Sequence, residues 1–414
     1  MTRTYIKNGQ LIDGNGGDAQ PDGAVVVEDN QIVFAGPEAA YTPTGDETIV
    51  DAGGGTIMPG LIDSHVHMMM QYKPVAEKLE TPFSYMYYQA EQYLKTTLNT
   101  GITSVRDALG TDRGVKKAVN DGLISGPRME LSINALTTTG GHGDGYTVSG
   151  DANDILPSGH RGMPNGICDG VEEVRKKTRE MLRAGAEVIK VHATGGVMSA
   201  TDHPEFTQFS LEELKVIVEE GRFRRGTKVM AHAQGSEGIK NAVKAGIHSI
   251  EHGIFLDDEA IELMLANDTF LVPTLLAPVA VLETADEKGM PDTAVQKARD
   301  VIEAHKASIE KAYKAGVKIA MGTDAGVMDH GTNLRELSLM TDIGMSPMEA
   351  IVASTKTAAE CLEWDDQVGT LESGKLADVL VVNGNPLNDI DSLAANDAIQ
   401  MVMKDGKVEK NTLD

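Results

Sequence analysis

Eight short apolar runs recur through the middle of this chain, at 61–67, 102–107, 129–135, 187–192, 228–232, 247–252, 269–275 and 318–324. Most are separated by segments of helical periodicity. Near-continuous apolar runs mark strands buried on both faces, the condition of parallel strands covered by helices. Ser210-Leu211-Glu212-Glu213 is a capping box opening one such helix, with Leu211, Leu214, Ile217 and Val218 on its apolar face. Ser346-Pro347-Met348-Glu349 opens another, with proline at the first helical position. Eight strands alternating with helices predict a parallel (β/α)8 TIM barrel in preference to an open doubly wound sheet.

The ends read differently. Residues 24–27 and 31–34 flank Asp29-Asn30, a hairpin signal, and 48–51 runs into Gly53-Gly54-Gly55. Near the far end, strand-like 377–382 and 399–403 each precede turn residues. A small β-sandwich built from both termini, residues 1–58 plus 366–414, is therefore expected around a barrel of residues 59–365. The Gly-, Asp- and Pro-rich connection at 136–170 is long enough to be a lid or binding loop.

The 414 residues carry a formal net charge of −25, which argues against a nucleic-acid partner. A substrate with a free carboxylate would need a local basic patch against that background. No apolar run approaches the roughly 18 residues that cross a bilayer, so no membrane partner is expected. Residues 1–6 move straight into strand-like sequence, so no secretory signal is expected, and the two cysteines, Cys168 and Cys361, suggest no disulfide framework. A cytoplasmic location is expected.

Polar residues sit where the apolar runs stop. The first run ends in His65-Val66-His67, and alternate residues of a strand face the same way. Lys190 lies in the fourth run, His232 ends the fifth, His252 the sixth and Asp324 the eighth. Singly, each has an ordinary structural role as a rim histidine, a snorkelling lysine or a helix cap. Jointly, at the strand ends where barrels place their active sites, they form a metal-binding constellation.

With these positions assembled, the chain resembles the amidohydrolase superfamily, from Pro59-Gly60-Leu61-Ile62-Asp63-Ser64-His65-Val66-His67 to Gly374-Lys375-Leu376-Ala377-Asp378-Val379. The resemblance implies two divalent metal ions, zinc by first expectation, although manganese, iron or cobalt suit the same donors. It assigns His65, His67 and Asp324 to one metal and His232 and His252 to the other. Lys190, carboxylated by CO2, would bridge them. An ordinary ammonium cannot ligate a cation, whereas a buried amine of lowered pKa can add CO2. The metals would share a hydroxide and polarise the scissile carbonyl. Asp324 would take the hydroxide's proton and pass it to the leaving nitrogen.

Val191-His192-Ala193-Thr194-Gly195-Gly196-Val197 and Gly140-Gly141-His142-Gly143-Asp144 resemble the imidazolonepropionase-related branch. That branch includes Xaa-Pro dipeptidases, carboxypeptidases and ochratoxin-hydrolysing amidases. It implies cleavage of a dipeptide or N-acyl amino acid by a homo-oligomer, with His142 at the substrate and His330 a further contact. Peptidase relatives often carry tyrosine where this chain has Gln234, which leaves room for non-peptide amides, carbamates or ureas. Arg161 is a candidate carboxylate partner, and Met68-Met69-Met70 a candidate apolar wall. Asp63, two residues before His65, is expected to support the site from deeper in the barrel. The alternatives are a mononuclear deaminase or cyclic-imide hydrolase, for which Glu237 would be the acid near His232, and a catalytically silent scaffold.

Overall fold

The structure, a computed structural model, describes residues 3–146, 160, 162–199 and 201–413. Five strands open the chain: β1 (Arg3–Leu11), β2 (Gln20–Glu28), β3 (Gln31–Pro37), β4 (Thr48–Asp51) and β5 (Thr56–Pro59). The middle contributes β6 (Leu61–Val66), β7 (Ile102–Asp107), β8 (Arg128–Leu131), β9 (Ala135–Leu136), β10 (Ile189–His192), β11 (Val229–Ala233), β12 (Ser249–His252) and β13 (Phe270–Val272). The last three are β14 (Val379–Val382), β15 (Ile399–Lys404) and β16 (Lys407–Asn411).

Strands from the two ends share one sheet, in the order β16-β15-β14-β5-β1-β2-β3, with β4 paired to β1. The join is the antiparallel pair β14–β5, Val379 opposite Pro59 and Leu380 opposite Met58. Ile6, Val25, Ile57, Val379 and Met401 fill a core of this sheet, so both chain ends are needed to bury it. The hairpin read from Asp29-Asn30 joins β2 to β3, and Asp29 takes the left-handed conformation that the tight turn requires.

The middle strands are parallel throughout. β6-β7-β8 form one sheet and β9 to β13 another. Both capping boxes are formed, Ser210 with Glu213 on helix Leu211–Phe223 and Ser346 with Glu349 on helix Pro347–Ala353.

Two runs depart from the expected strands. Run 129–135 splits into β8 and β9 because Ile133 has φ of 70°, which no strand ladder accommodates. Run 318–324 forms no ladder of its own, and Asp324 at its end has φ of 66°. It still hydrogen-bonds on both sides. Leu271 N donates to Lys318 O at 2.9 Å and Ala320 N to Leu271 O at 3.0 Å. On the other flank, Ser64 N donates to Met321 O and Asp324 N to His65 O, at 2.9 and 2.8 Å. This segment therefore lies between β13 and β6.

The long connection is closed at its foot, where Thr137 N donates to Gly166 O and Cys168 N to Thr137 O. Arg161 and residues 147–159 of that connection lie outside the described residues. Among the described residues no helix is long and apolar enough to cross a membrane.

Candidate active site

β6 delivers His65 and His67 to one point because its hydrogen bonds continue into the segment ending at Asp324. Buried Asp63 fastens that junction, accepting from His65 N, Thr323 N, Thr323 Oγ1 and Asn333 Nδ2 at 2.6–3.1 Å. Burial pushes the Asp63 carboxyl up to about 6 despite these four donors. Metal-capable atoms of His65, His67 and Asp324 consequently all lie within 4.8 Å of one another. Asp324 Oδ1 is 2.8 Å from His67 Nε2 and 3.4 Å from His65 Nε2.

Lys190 enters from β10, its Nζ 3.3 Å from His65 Nε2 and almost wholly buried. Parallel register sets His192 beside His232 and Ala233 beside His252, so β10, β11 and β12 present their chemistry as a row. The His252 ring lies 5.1 Å from that of His65 and 4.6 Å from that of His232. His252 also has positive φ, 74°, so the backbone strain falls at the ends of two site segments.

Each of these four histidines has one ring nitrogen held by a group outside the His65, His67, Lys190, His232, His252 and Asp324 cluster. His65 Nδ1 donates to Glu251 Oε2 at 2.7 Å, and His67 Nδ1 to Leu109 O at 3.0 Å. His232 Nε2 donates to Gly195 O at 3.0 Å, and His252 Nδ1 meets Thr274 Oγ1 at 2.7 Å. Such bonds orient an imidazole and fix which nitrogen is left for a cation. Burial holds His65, His232 and His252 well below the ordinary imidazole pKa, helped by neighbouring cationic groups. They are neutral donors, as ligation requires. Burial is the largest influence on His67 and lowers it, but the hydrogen bond and charge of Asp324, with the charge of Asp107, together raise it. Burial brings Lys190 down to about 8.

His142 lies against this row, stacked on the His232 ring at 4.4 Å with its Nδ1 3.1 Å from Asp202 Oδ2. Gln234 is buried, and among the described residues its Oε1 has no partner, an acceptor available to a ligand. Both line a cavity of about 440 Å³ together with His65, His67, Lys190, His232, His252 and Asp324. Met69 and Met70 line it as well, while Met68 is core. His330 stands apart: its Nε2 lies 2.9 Å from Met70 O and its ring stacks on Tyr93 at 4.7 Å, behind the cavity wall. Glu237 is exposed on a helix facing Lys240, away from the site.

Several contributors were not anticipated. Glu251 also accepts from buried Arg106 Nη2 at 3.0 Å and from Ser249 Oγ at 2.6 Å. His192, two residues after Lys190, touches the His142 and His232 rings. Asp202 is backed by Lys297, whose ammonium donates to the carbonyls of Gly196, Ser199 and Asp202. Charged residues inside the apolar runs 102–107 and 247–252 were the available signal, since a buried charge needs a partner. Asp202 and Lys297 lie outside any run and gave none.

Histidines and a lysine from parallel strands meet the aspartate of the segment between β13 and β6 in one cavity, an arrangement suited to a metal centre on an α/β scaffold. Residues 56–408 match the amidohydrolase family, and the chain belongs to it. It is 37% identical to the ochratoxinase of Aspergillus niger over 425 residues, covering 98% of this chain and 86% of that protein. Among solved structures, a Xaa-Pro dipeptidase with methionine bound in its active site superimposes with a TM-score of 0.88 at 36% identity, over 98% of this chain and 99% of that one. A prolidase complexed with N-methylphosphonate-L-proline gives 0.90 at 34%, over 99% of this chain and 100% of that one. The protein is an enzyme acting on amide bonds.

Proposed function

We propose that this chain is a binuclear metal-dependent amidohydrolase that cleaves a dipeptide or an N-acyl amino acid. The observation that carries the reading is the convergence of His65, His67 and Asp324 on one point with Lys190 Nζ 3.3 Å from His65. His232 and His252 complete a six-residue donor set. Neutral imidazoles, a carboxylate and an amine of lowered pKa suit two hard or borderline divalent cations such as zinc. On this reading the strand segments close into a (β/α)8 barrel of residues 59–365, and 1–58 plus 366–414 form the companion β domain.

Lys190 near 8 is neutral in about a tenth of molecules at pH 7, enough to react. Its Nζ lone pair adds to the carbon of CO2, forming one N–C bond and releasing one proton. The resulting carbamate would give Lys190 a carboxylate with which to hold metal. When bound, the cations supply Lewis acidity toward the amide carbonyl and an activated water at neutral pH. Asp324 accepts the proton of the attacking water and returns it to the leaving nitrogen as the C–N bond breaks. His142, oriented by Asp202, reaches the substrate from the opposite wall, and the unpartnered Oε1 of Gln234 accepts a substrate N–H. His330, behind Met70, keeps the wall in place.

Hydrolysis of N-acyl amino acids, dipeptides and aryl amides by zinc-loaded protein tests the reading. Release of a free amino acid, abolished by Asp324→Asn, supports it. Ammonia release from purines or pyrimidines with no amide cleaved refutes it.

A further inference from the structure

The wall following His67 runs from Met69 to Tyr93 and departs from the rest of the cavity in charge. Among the described residues the cavity lining holds one carboxylate, Asp324, and three lysines, on a chain whose net charge is −25. Lys190 belongs to the metal site. Lys73 is taken by Glu77, at 2.6 Å. Lys78 is half-buried and, among the described residues, pairs with no carboxylate. Its ammonium lies 5.6 Å from the centre of the Tyr72 ring. Tyr72 is itself fixed to the turn just past Asp324, its N donating to Gly326 O at 2.6 Å. Burial alone accounts for the lowered pKa of Lys78, with no neighbouring charge supporting the ammonium.

An unpaired ammonium in a partly desolvated apolar wall is unfavourable, and an arriving anion relieves it. Met69, Phe83, Met86, Ile254 and Val281 supply apolar lining to the same cavity. Resting on the proposed amide hydrolysis, we infer that Lys78 is the specificity residue for a substrate carboxylate. The preferred substrates are then amides of apolar amino acids whose carboxylate is free. Lys78 takes up the task that a neutral Gln234 cannot perform by charge. The Tyr72 face holds the ammonium in place through its π electrons until the carboxylate arrives.

Calorimetric binding tests this with two probes, L-phenylalanine and its carboxamide, on the metal-loaded full chain. The acid binds the wild type more tightly than the carboxamide. Lys78→Met weakens the acid by about tenfold, the size of one charge-assisted contact. The same substitution leaves the carboxamide within about twofold, while Lys78→Arg retains most of the acid's affinity. Equal loss for both probes, no loss for the acid, or a wild type that prefers the carboxamide overturns the assignment. Hydrolysis of N-acyl amino acids by the same wild-type sample is scored separately, so selective acid binding without cleavage refutes the proposed reaction and leaves the Lys78 assignment standing.

Discussion

Replacing Glu251 by glutamine tests how the metal site is held. Glu251 is fully buried, and its two oxygens serve Arg106 Nη2 at 3.0 Å and His65 Nδ1 at 2.7 Å. Charge pairing with Glu251 keeps the buried Arg106 guanidinium above its ordinary pKa, whereas on the carboxylate side burial prevails and raises Glu251. Glutamine keeps the shape but cannot neutralise Arg106. Leaving one member of a buried pair uncompensated costs about 3–5 kcal/mol. Adding Arg106→Met should recover more than half of that loss, because the orphaned charge is removed. Urea unfolding of metal-free protein measures both steps, and chelator competition measures the metal. Loss of the partner that orients His65 should weaken metal binding by about 10–100-fold. A cost below about 1 kcal/mol, or a double variant worse than the sum of the singles, refutes the reasoning.

Three further outcomes follow from named contacts. Thr274→Val removes the hydroxyl on His252 Nδ1 and should weaken metal binding by about tenfold or more with the fold intact, read by chelator competition and circular dichroism. In Gly196→Ala the added Cβ overlaps the His142 ring, so kcat should fall by about 100-fold while metal content, measured by plasma emission, stays unchanged. Burial pushes Glu336 up to about 8 from an ordinary 4.5. Its neutral form is the one favoured in the fold, so its contribution is full below about 4.5 and is lost as pH rises toward 8. At about 1.36 kcal/mol per unit the ceiling is about 5 kcal/mol, and Glu336→Gln should flatten the fall in stability between pH 5 and 8 by at least about 2 kcal/mol. Urea midpoints across that range, taken on both proteins, check it.

The residues that converge on the cavity were legible because each ends, or interrupts, an apolar run. A strand buried on both faces tolerates His65, Lys190 or His252 only where something compensates them. The same logic applied to Arg106 and Glu251 but pointed to each other as much as to the site, and only the three-dimensional arrangement ties Glu251 to His65. Backbone irregularity was not legible. Ile133 and Asp324 carry no turn chemistry of glycine type, yet both have positive φ, so one expected strand divides and another makes bridges without a ladder. Asp202 reaches His142 from a loop, and Lys297 reaches Asp202 from a long helix, and no local pattern connects them. His330 appeared close to Asp324 in sequence, but the chain turns it behind Met70.

The central claim is a two-metal site that depends on Lys190. Plasma emission spectrometry of purified wild type and Lys190→Ala, scored with hydrolysis of one dipeptide, tests it most directly. The account predicts two divalent ions per chain in the wild type, and at most one, without hydrolysis, in the variant. One ion per chain in both proteins, with hydrolysis undiminished by Lys190→Ala, would contradict it.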